Sequence, residues 1–92
     1  MKLCMVGTGA FAKKHLDGLA RIKGAEVVSV VGRVPETTDA VAKKYGIPHS
    51  TTSLKEALAQ PGVEAAIITS PTQIHAEQAI QVMRAGKHVH IE

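Results

Sequence analysis

The sequence predicts an α/β protein built on a doubly wound parallel sheet with strand order 3-2-1-4-5. Short β-branched runs alternate with stretches of helical period along the whole chain, which is typical of βαβ units. A glycine-rich turn directly follows the first run, and every connection is only a few residues long. We therefore expect one domain that fills residues 1–92.

Composition narrows the class of protein. An apolar fraction of 45% with 21% charged residues is typical of a globular domain. The net charge is +3, the cationic side chains are scattered, and Phe11 and Tyr45 are the aromatic residues, so we expect no nucleic-acid partner. No apolar run approaches the roughly 18 residues of a membrane span or resembles a signal peptide, so we expect a cytoplasmic protein without membrane contact. The single cysteine, Cys4, should be buried and inert.

Two helices separate the first three predicted strands. The strands cover residues 3–6, 27–31 and 49–51. The first helix should end near Gly24, and the second should begin after Pro35 and end at Gly46. Apolar residues at helical spacing should pack on the sheet, namely Ala12, Leu16, Leu19 and Ala20 in the first helix and Ala40, Val41 and Tyr45 in the second.

The second half of the chain contains two more helices and two more strands. Ser53 and Glu56 have capping-box spacing, so a short helix should begin there. The apolar run at residues 63–69 suits a central strand that is covered on both faces. A helix over residues 73–85 and a strand over residues 89–91 complete the order. The expected inward residues are Leu54, Ala57 and Leu58 in the third helix and Ala76, Ala79, Ile80 and Met83 in the fourth.

The glycine-rich turn is the clearest functional signal. Residues 7–12 read G-x-G-x-x-A between a predicted strand and a predicted helix, which is the context of a dinucleotide-binding Rossmann turn. The first glycine permits the tight turn, the second lets a pyrophosphate approach the backbone, and Ala12 lets helix and strand come close. The N–H groups and the dipole of the helix would bind the phosphates. The expected cofactor contacts here are Gly7, Thr8, Gly9, Ala10 and Phe11; a glycine turn without a ligand is the alternative.

The end of the second strand bears on the choice between NADP and NAD. NAD-binding domains place an acidic residue there to bind the ribose 2′-hydroxyl, whereas this chain has Gly32 and Arg33. A guanidinium can form charge-assisted hydrogen bonds with a 2′-phosphate, and Thr37 and Thr38 add hydroxyl groups. The sequence therefore favours NADP over NAD, with Arg33 as a solvated loop cation as the alternative.

A second group of polar residues follows the last two strands. Ser70, Pro71, Thr72 and His75 come after the fourth strand, and Glu92 comes after the fifth. Doubly wound sheets bind ligands beyond the carboxyl ends of their strands. We therefore expect these residues to join the glycine turn and Arg33 around the cofactor.

No metal site is expected. His75 and Glu77 match the H-x-E of zinc deaminases, but the chain lacks the P-C-x-x-C that completes such a site. His88 and His90 share one face of the last predicted strand, and two histidines without a third ligand do not define a metal site.

Three segments of the chain resemble the N-terminal domain of the glucose–fructose oxidoreductase, inositol dehydrogenase and rhizopine-catabolism (Gfo/Idh/MocA) family. They are GTGAFAKKHLDGL, AKKYGIP and TSPTQIHAEQAIQVMRAGKHVHIE. The P-x-x-x-H that ends at His75, followed by AGKHV and Glu92, is the most specific part. A narrower similarity, to NADP-dependent semialdehyde dehydrogenases of aromatic-acid breakdown, rests on GAF, KHLDGL and PTQIHAEQAI.

The resemblance implies an oxidoreductase that transfers hydride between nicotinamide C4 and a carbonyl or hydroxyl carbon of a sugar, polyol or semialdehyde. It also implies a second, substrate-binding domain, which is missing here. The family's Glu-Lys-Pro begins at Glu92, and the sequence stops before the lysine. The family commonly has asparagine at the position of Thr72. We expect the full-length form to be a homo-oligomer, and we assign no catalytic acid or base to this chain.

Two other functions stay open at the level of sequence. A non-catalytic nucleotide-binding or redox-sensing module would need no further domain. A methyltransferase that binds S-adenosylmethionine also uses a glycine turn after its first strand, but it would normally have an acidic residue near Gly32 or Arg33.

Overall fold

A parallel sheet with helices on both faces forms the centre of the protein. The computed structural model describes residues 1–70 and 72–91, apart from the side chains of residues 72 and 75. The described strands are β1 (Lys2–Val6), β2 (Glu26–Val31), β3 (His49–Thr51), β4 (Val63–Ile68) and β5 (His88–Ile91). The described helices are α1 (Ala10–Leu19), α2 (Pro35–Tyr45), α3 (Leu54–Leu58) and α4 (Thr72–Arg84). The sheet order β3-β2-β1-β4-β5, with every pair parallel, confirms the predicted fold class and strand order.

Each face of the sheet is covered by its own apolar layer. Neighbouring residues of β1 belong to opposite layers, because side chains alternate across a strand: Met5 lies in one layer, and Cys4 and Val6 lie in the other. The layer under α1 and α2 also contains Ala12, Leu16, Val30, Val41, Ala42 and Ile47. The layer under α3 and α4 also contains Leu54, Ala57, Leu58, Ala66, Ile68, Ala79 and Val82. Burial on both sides explains why β1 and β4 are almost continuously apolar.

The structure corrects the predicted inner faces of the helices. Val41 and Ala42 are the buried apolar residues of α2, and Ala79 and Val82 are those of α4 within the described side chains. Both helices carry apolar residues on more than one side, so helical spacing alone does not determine which side meets the sheet. The residues of these two helices that were wrongly predicted to face inward, all exposed, are Ala40, Ala76, Ile80 and Met83. Ala20 is exposed as well, because α1 ends before it at Leu19.

Backbone hydrogen bonds align the carboxyl ends of the central strands. In three places, the residue that follows a strand donates its N–H to a neighbouring strand, so that the parallel hydrogen bonding continues past the strand end. These bonds run from Gly7 to Val31 (N···O 2.8 Å), from Gly32 to Thr51 (3.1 Å) and from Thr69 to Val6 (2.8 Å). The loops that leave β1, β2 and β4 therefore start at one level of the same sheet edge.

The helices of the described residues are short. The longest, α4, has 13 residues, whereas a membrane-spanning helix needs about 20. None of them combines the length and the apolar character that a membrane span requires.

Candidate functional site

A cavity of about 900 Å³ lies at the carboxyl edge of the sheet. Residues that follow β1, β2, β3 and β4 form its walls, as expected for a ligand crevice in a doubly wound sheet. Its size is within the range of small-molecule and cofactor sites. The structure brings together at this cavity the predicted residues Gly7, Thr8, Gly9, Phe11, Arg33, Thr37 and Ser70.

The other predicted contacts either do not line the cavity or lie outside the described residues. Ala10 is exposed at the first position of α1 and is not among the residues that line the cavity. Pro71 and Glu92, and the side chains of Thr72 and His75, lie outside the described residues. A cofactor contact at those four positions therefore stays a prediction.

The fold itself requires glycine at the first position of the turn. Gly7 has a φ of +117°, which side-chain-bearing residues rarely adopt. A Cβ atom there would collide with Thr69 Oγ1 and would lie 3.3 Å from the backbone nitrogen of Ser70. Thr69 cannot easily move, because its hydroxyl donates to the carbonyl of Val6 at 3.0 Å. Gly7 thus allows the β1–α1 turn to pack tightly against the end of β4.

Gly9, by contrast, is not required by any protein neighbour. It precedes α1 with φ −80° and ψ −168°, and a Cβ atom there would meet nothing within 4 Å. No side chain caps this helix, and its first turn contains no acidic residue. The first N–H groups of a helix have no acceptor within it, so this end of α1 offers donors and a positive dipole to an anion in the cavity.

Polar and apolar residues of the β2–α2 segment form another wall of the cavity. Arg33, Val34 and Thr37 line it and are exposed to solvent. Thr38 does not offer its hydroxyl to a ligand, which corrects the sequence-based interpretation. It is 1% exposed, and its Oγ1 donates to the carbonyl of Val34 at 2.8 Å.

Several lining residues were missed by the sequence analysis. Thr52 follows β3 and Thr69 follows β4, so the rule that ligands bind at the carboxyl edge identifies both once the strands are known. Ile74 and Gln78 are four residues apart in α4 and therefore share a side of that helix. Gln78 Oε1 accepts a hydrogen bond from Ser70 Oγ, which joins the second turn of α4 to the end of β4.

The described part of the cavity is suited to binding. Its walls offer backbone N–H groups, hydroxyls, one amide, one guanidinium and apolar side chains, and Arg33 is the one titratable residue among the described lining residues. Within the described part of the chain, no three His, Cys, Asp or Glu side chains converge in a way that could hold a metal ion.

Comparison with known sequences identifies the class of protein. Residues 1–92 match a family described as an oxidoreductase family with an NAD-binding Rossmann fold. The chain is 54% identical over 92 residues to 4-carboxy-2-hydroxymuconate-6-semialdehyde dehydrogenase of Sphingobium sp., covering all of this chain and 29% of that protein. It is 30% identical over 89 residues to scyllo-inositol 2-dehydrogenase (NADP(+)) of Bacillus subtilis, covering 97% of this chain and 27% of that protein.

Comparison with solved structures agrees with the sequence matches. The chain resembles scyllo-inositol dehydrogenase from Lactobacillus casei, which was solved with bound NAD(H) and scyllo-inositol, with a TM-score of 0.90 and 27% sequence identity. The similarity covers 99% of this chain and 27% of that one. The chain thus spans between 27% and 29% of the length of these relatives. The resemblance inferred from the sequence motifs, including the narrower similarity to semialdehyde dehydrogenases, is confirmed.

Proposed function

The chain belongs to the Gfo/Idh/MocA family of oxidoreductases, and on that premise we propose that it is the NADP-binding part of a dehydrogenase. A bound nicotinamide cofactor supplies or accepts a hydride at C4. The carbon that exchanges this hydride belongs to a sugar, polyol or semialdehyde that a second domain holds. The relative with 54% identity carries a semialdehyde in its name, which supports a semialdehyde among these three classes.

One observation carries the proposal: a single cavity joins the N-terminal end of α1 to Arg33. The open space at Gly9 admits a pyrophosphate close to the backbone, where the first N–H groups of α1 can donate to it. Arg33 and Thr37 line the same cavity, and we assign the adenosine ribose of such a ligand to their side of it. The residues present therefore fit a dinucleotide.

The preference for NADP rests on the residues of this chain. Relatives named above use NADP(+) or NAD(H), so family membership does not decide between the two. Here the end of β2 carries Gly32, which has no carboxylate to repel a 2′-phosphate, and Arg33 can donate two parallel hydrogen bonds to one. Thr37 and Thr52, which carry hydroxyl groups, line the same cavity.

Titration of the purified chain with NADPH and NADH tests the cofactor. We expect NADPH to bind more tightly, and we expect Arg33→Ala to weaken NADPH roughly 10- to 150-fold, because a charge-assisted hydrogen bond contributes about 1.5 to 3 kcal/mol. NADH affinity should stay nearly unchanged. Arg21→Ala is the matched control, since Arg21 is exposed and does not line the cavity. Equal losses for the two cofactors at Arg33, or tighter NADH binding by the unmodified chain, would contradict the proposal.

A further inference from the structure

We infer that Thr38, which does not line the cofactor cavity, determines cofactor specificity by keeping position 32 free of any side chain. The inference deepens the proposed function and rests on the preference for NADP. It starts from Gly32, the residue that follows β2 and donates its N–H to Thr51.

Neighbouring side chains, and not backbone conformation, restrict position 32 to glycine. Gly32 is not one of the glycines with positive φ, so its dihedral angles are open to other residues. A Cβ atom at this position would nevertheless collide with Thr38 Oγ1. It would also lie 3.2 Å from Thr38 Cβ and 2.8 Å from Thr8 Cγ2. Thr38 and Thr8 thus occupy the space that a side chain at position 32 would need.

Thr38 is the neighbour that cannot give way. It is 1% exposed, and its Oγ1 donates to the Val34 carbonyl at 2.8 Å within the first turn of α2. Rotation about χ1 would break this partly buried hydrogen bond, and it would leave Thr38 Cβ at its close distance from the added atom. Thr8 is only partly buried and borders the cavity, so its methyl group can turn into open space.

The consequence concerns the ribose of the cofactor. An acidic residue at the end of the second strand binds the 2′-hydroxyl in NAD-binding domains and repels a 2′-phosphate. As long as Thr38 is present, that residue cannot be accommodated at position 32, and the space beside Arg33 stays free for a phosphate. Arg33 therefore attracts the phosphate, while Thr38 prevents the competing carboxylate. A change of preference to NAD requires substitution at positions 32 and 38 together.

The steric part can be tested without any cofactor. Thermal unfolding is measured for Gly32→Ala, Thr38→Ala and the double variant. Overpacking by one methyl group should lower the unfolding midpoint of Gly32→Ala by roughly 5 to 20 °C. The same substitution should cost less than about half as much when Thr38 is already alanine, because the colliding atom is gone. The neighbouring Thr37→Ala, at an exposed position, is the control background and should give no relief. The inference would be overturned if Gly32→Ala lowered the unfolding midpoint equally in the unmodified chain, in Thr38→Ala and in Thr37→Ala.

The cofactor part compares Gly32→Asp with Gly32→Asp/Thr38→Ala. The single variant should lose stability and bind both cofactors poorly. In the double variant, the ratio of NADPH affinity to NADH affinity should be roughly tenfold or more below that of the unmodified chain. A single Gly32→Asp variant that unfolds at the unmodified midpoint and prefers NADH would overturn the role of Thr38. If the alanine series shows the coupling but the unmodified chain prefers NADH, the proposed function fails and the steric role stands. If the unmodified chain prefers NADPH but the alanine series shows no coupling between positions 32 and 38, only the inference fails.

Discussion

Two glycines of the same turn are needed for different reasons. Gly7 has positive φ, and the end of β4 fills the space beside it, so the fold requires a glycine there. Gly9 has an ordinary φ and open space beside it, so the fold would accept a side chain. The sequence motif therefore does not distinguish a glycine that the fold requires from one that a ligand requires. The φ angle and the neighbouring atoms of each glycine make that distinction.

This difference predicts the behaviour of Gly9→Val. A Cβ atom at position 9 would meet nothing within 4 Å, and replacing glycine at the N-cap should cost the start of α1 about 1 kcal/mol, so circular dichroism should stay native-like. Binding of NADPH and NADH should both be lost in a titration, because the side chain takes the place of the pyrophosphate. Gly7→Val is the control and should fail to fold. Native-like dichroism together with unchanged affinity for both cofactors would make the turn purely structural.

Cys4 predicts a change of stability at alkaline pH. Burial raises the pKa of its thiol from 9.0 to about 11, and the side chain has no exposed surface. Between these values the unfolded thiol ionises while the folded one stays protonated, so the contribution of the neutral thiol is complete below pH 9 and is lost as the pH rises towards 11. Urea unfolding over this range should show a loss of about 2 to 3 kcal/mol relative to Cys4→Ala. Identical pH profiles for the two proteins would refute it.

At the scale of elements, a polar network fastens the edge strand β3. This strand has three residues, and β2 is its one partner in the described sheet. Ser29 Oγ of β2 lies 2.7 Å from His49 Nδ1, and His49 Nε2 lies 3.0 Å from Glu56 Oε1 of α3. An ionised carboxylate only accepts hydrogen bonds, so Nε2 carries the proton and, in the neutral ring, Nδ1 accepts from Ser29. The network also fixes the strand that leads to Thr52 in the cavity.

Substitution of Ser29 should therefore loosen β3. Ser29 is fully buried, and Ser29→Ala leaves His49 Nδ1 without its donor, so we expect a loss of about 1 kcal/mol in the free energy of unfolding. In a His49→Ala background the same change should cost clearly less, which a double-mutant cycle by urea unfolding measures. Glu64→Gln, an exposed carboxylate on β4, serves as the control for a surface change. An unreduced cost of Ser29→Ala in the His49→Ala background would show that the network does not couple the strands.

The same scale shows what the sequence could and could not predict. The order of strands followed from the alternation of apolar runs with capping and glycine signals, because each βα unit is specified locally. The side of α4 that packs on the sheet could not be predicted in this way, since Ile80 and Met83 fit the helical period as well as Val82 does. The role of Thr38 was also misread. Thr38 lies in α2 and fills the space beside Gly32, which follows β2. A contact between residues of two different elements leaves no pattern in the sequence.

For the molecule as a whole, the residues that line the cavity suit the binding of a ligand and not the chemical step. Hydride transfer requires the reacting carbon to be held against nicotinamide C4 while a positioned acid or base moves a proton. The described lining residues include hydroxyls, an amide and a guanidinium, but none of them is a histidine, carboxylate, lysine, tyrosine or cysteine, the side chains that usually act as general acid or base. The chain also spans less than a third of the length of its dehydrogenase relatives.

We therefore expect the 92-residue chain, produced alone, to bind NADPH and to turn nothing over. We expect the α1 N-terminus and Arg33, which border one cavity, to give a measurable affinity without a second domain. Oxidation of NADPH, followed by its absorbance, should stay at the rate of buffer with a sugar, a polyol or a semialdehyde as substrate. The control is a fluorescence titration of the same sample, which shows that cofactor is bound while no reaction occurs. Turnover above buffer that Gly9→Val abolishes would contradict this expectation, and it would assign the proton transfer to a group of this chain outside the described lining.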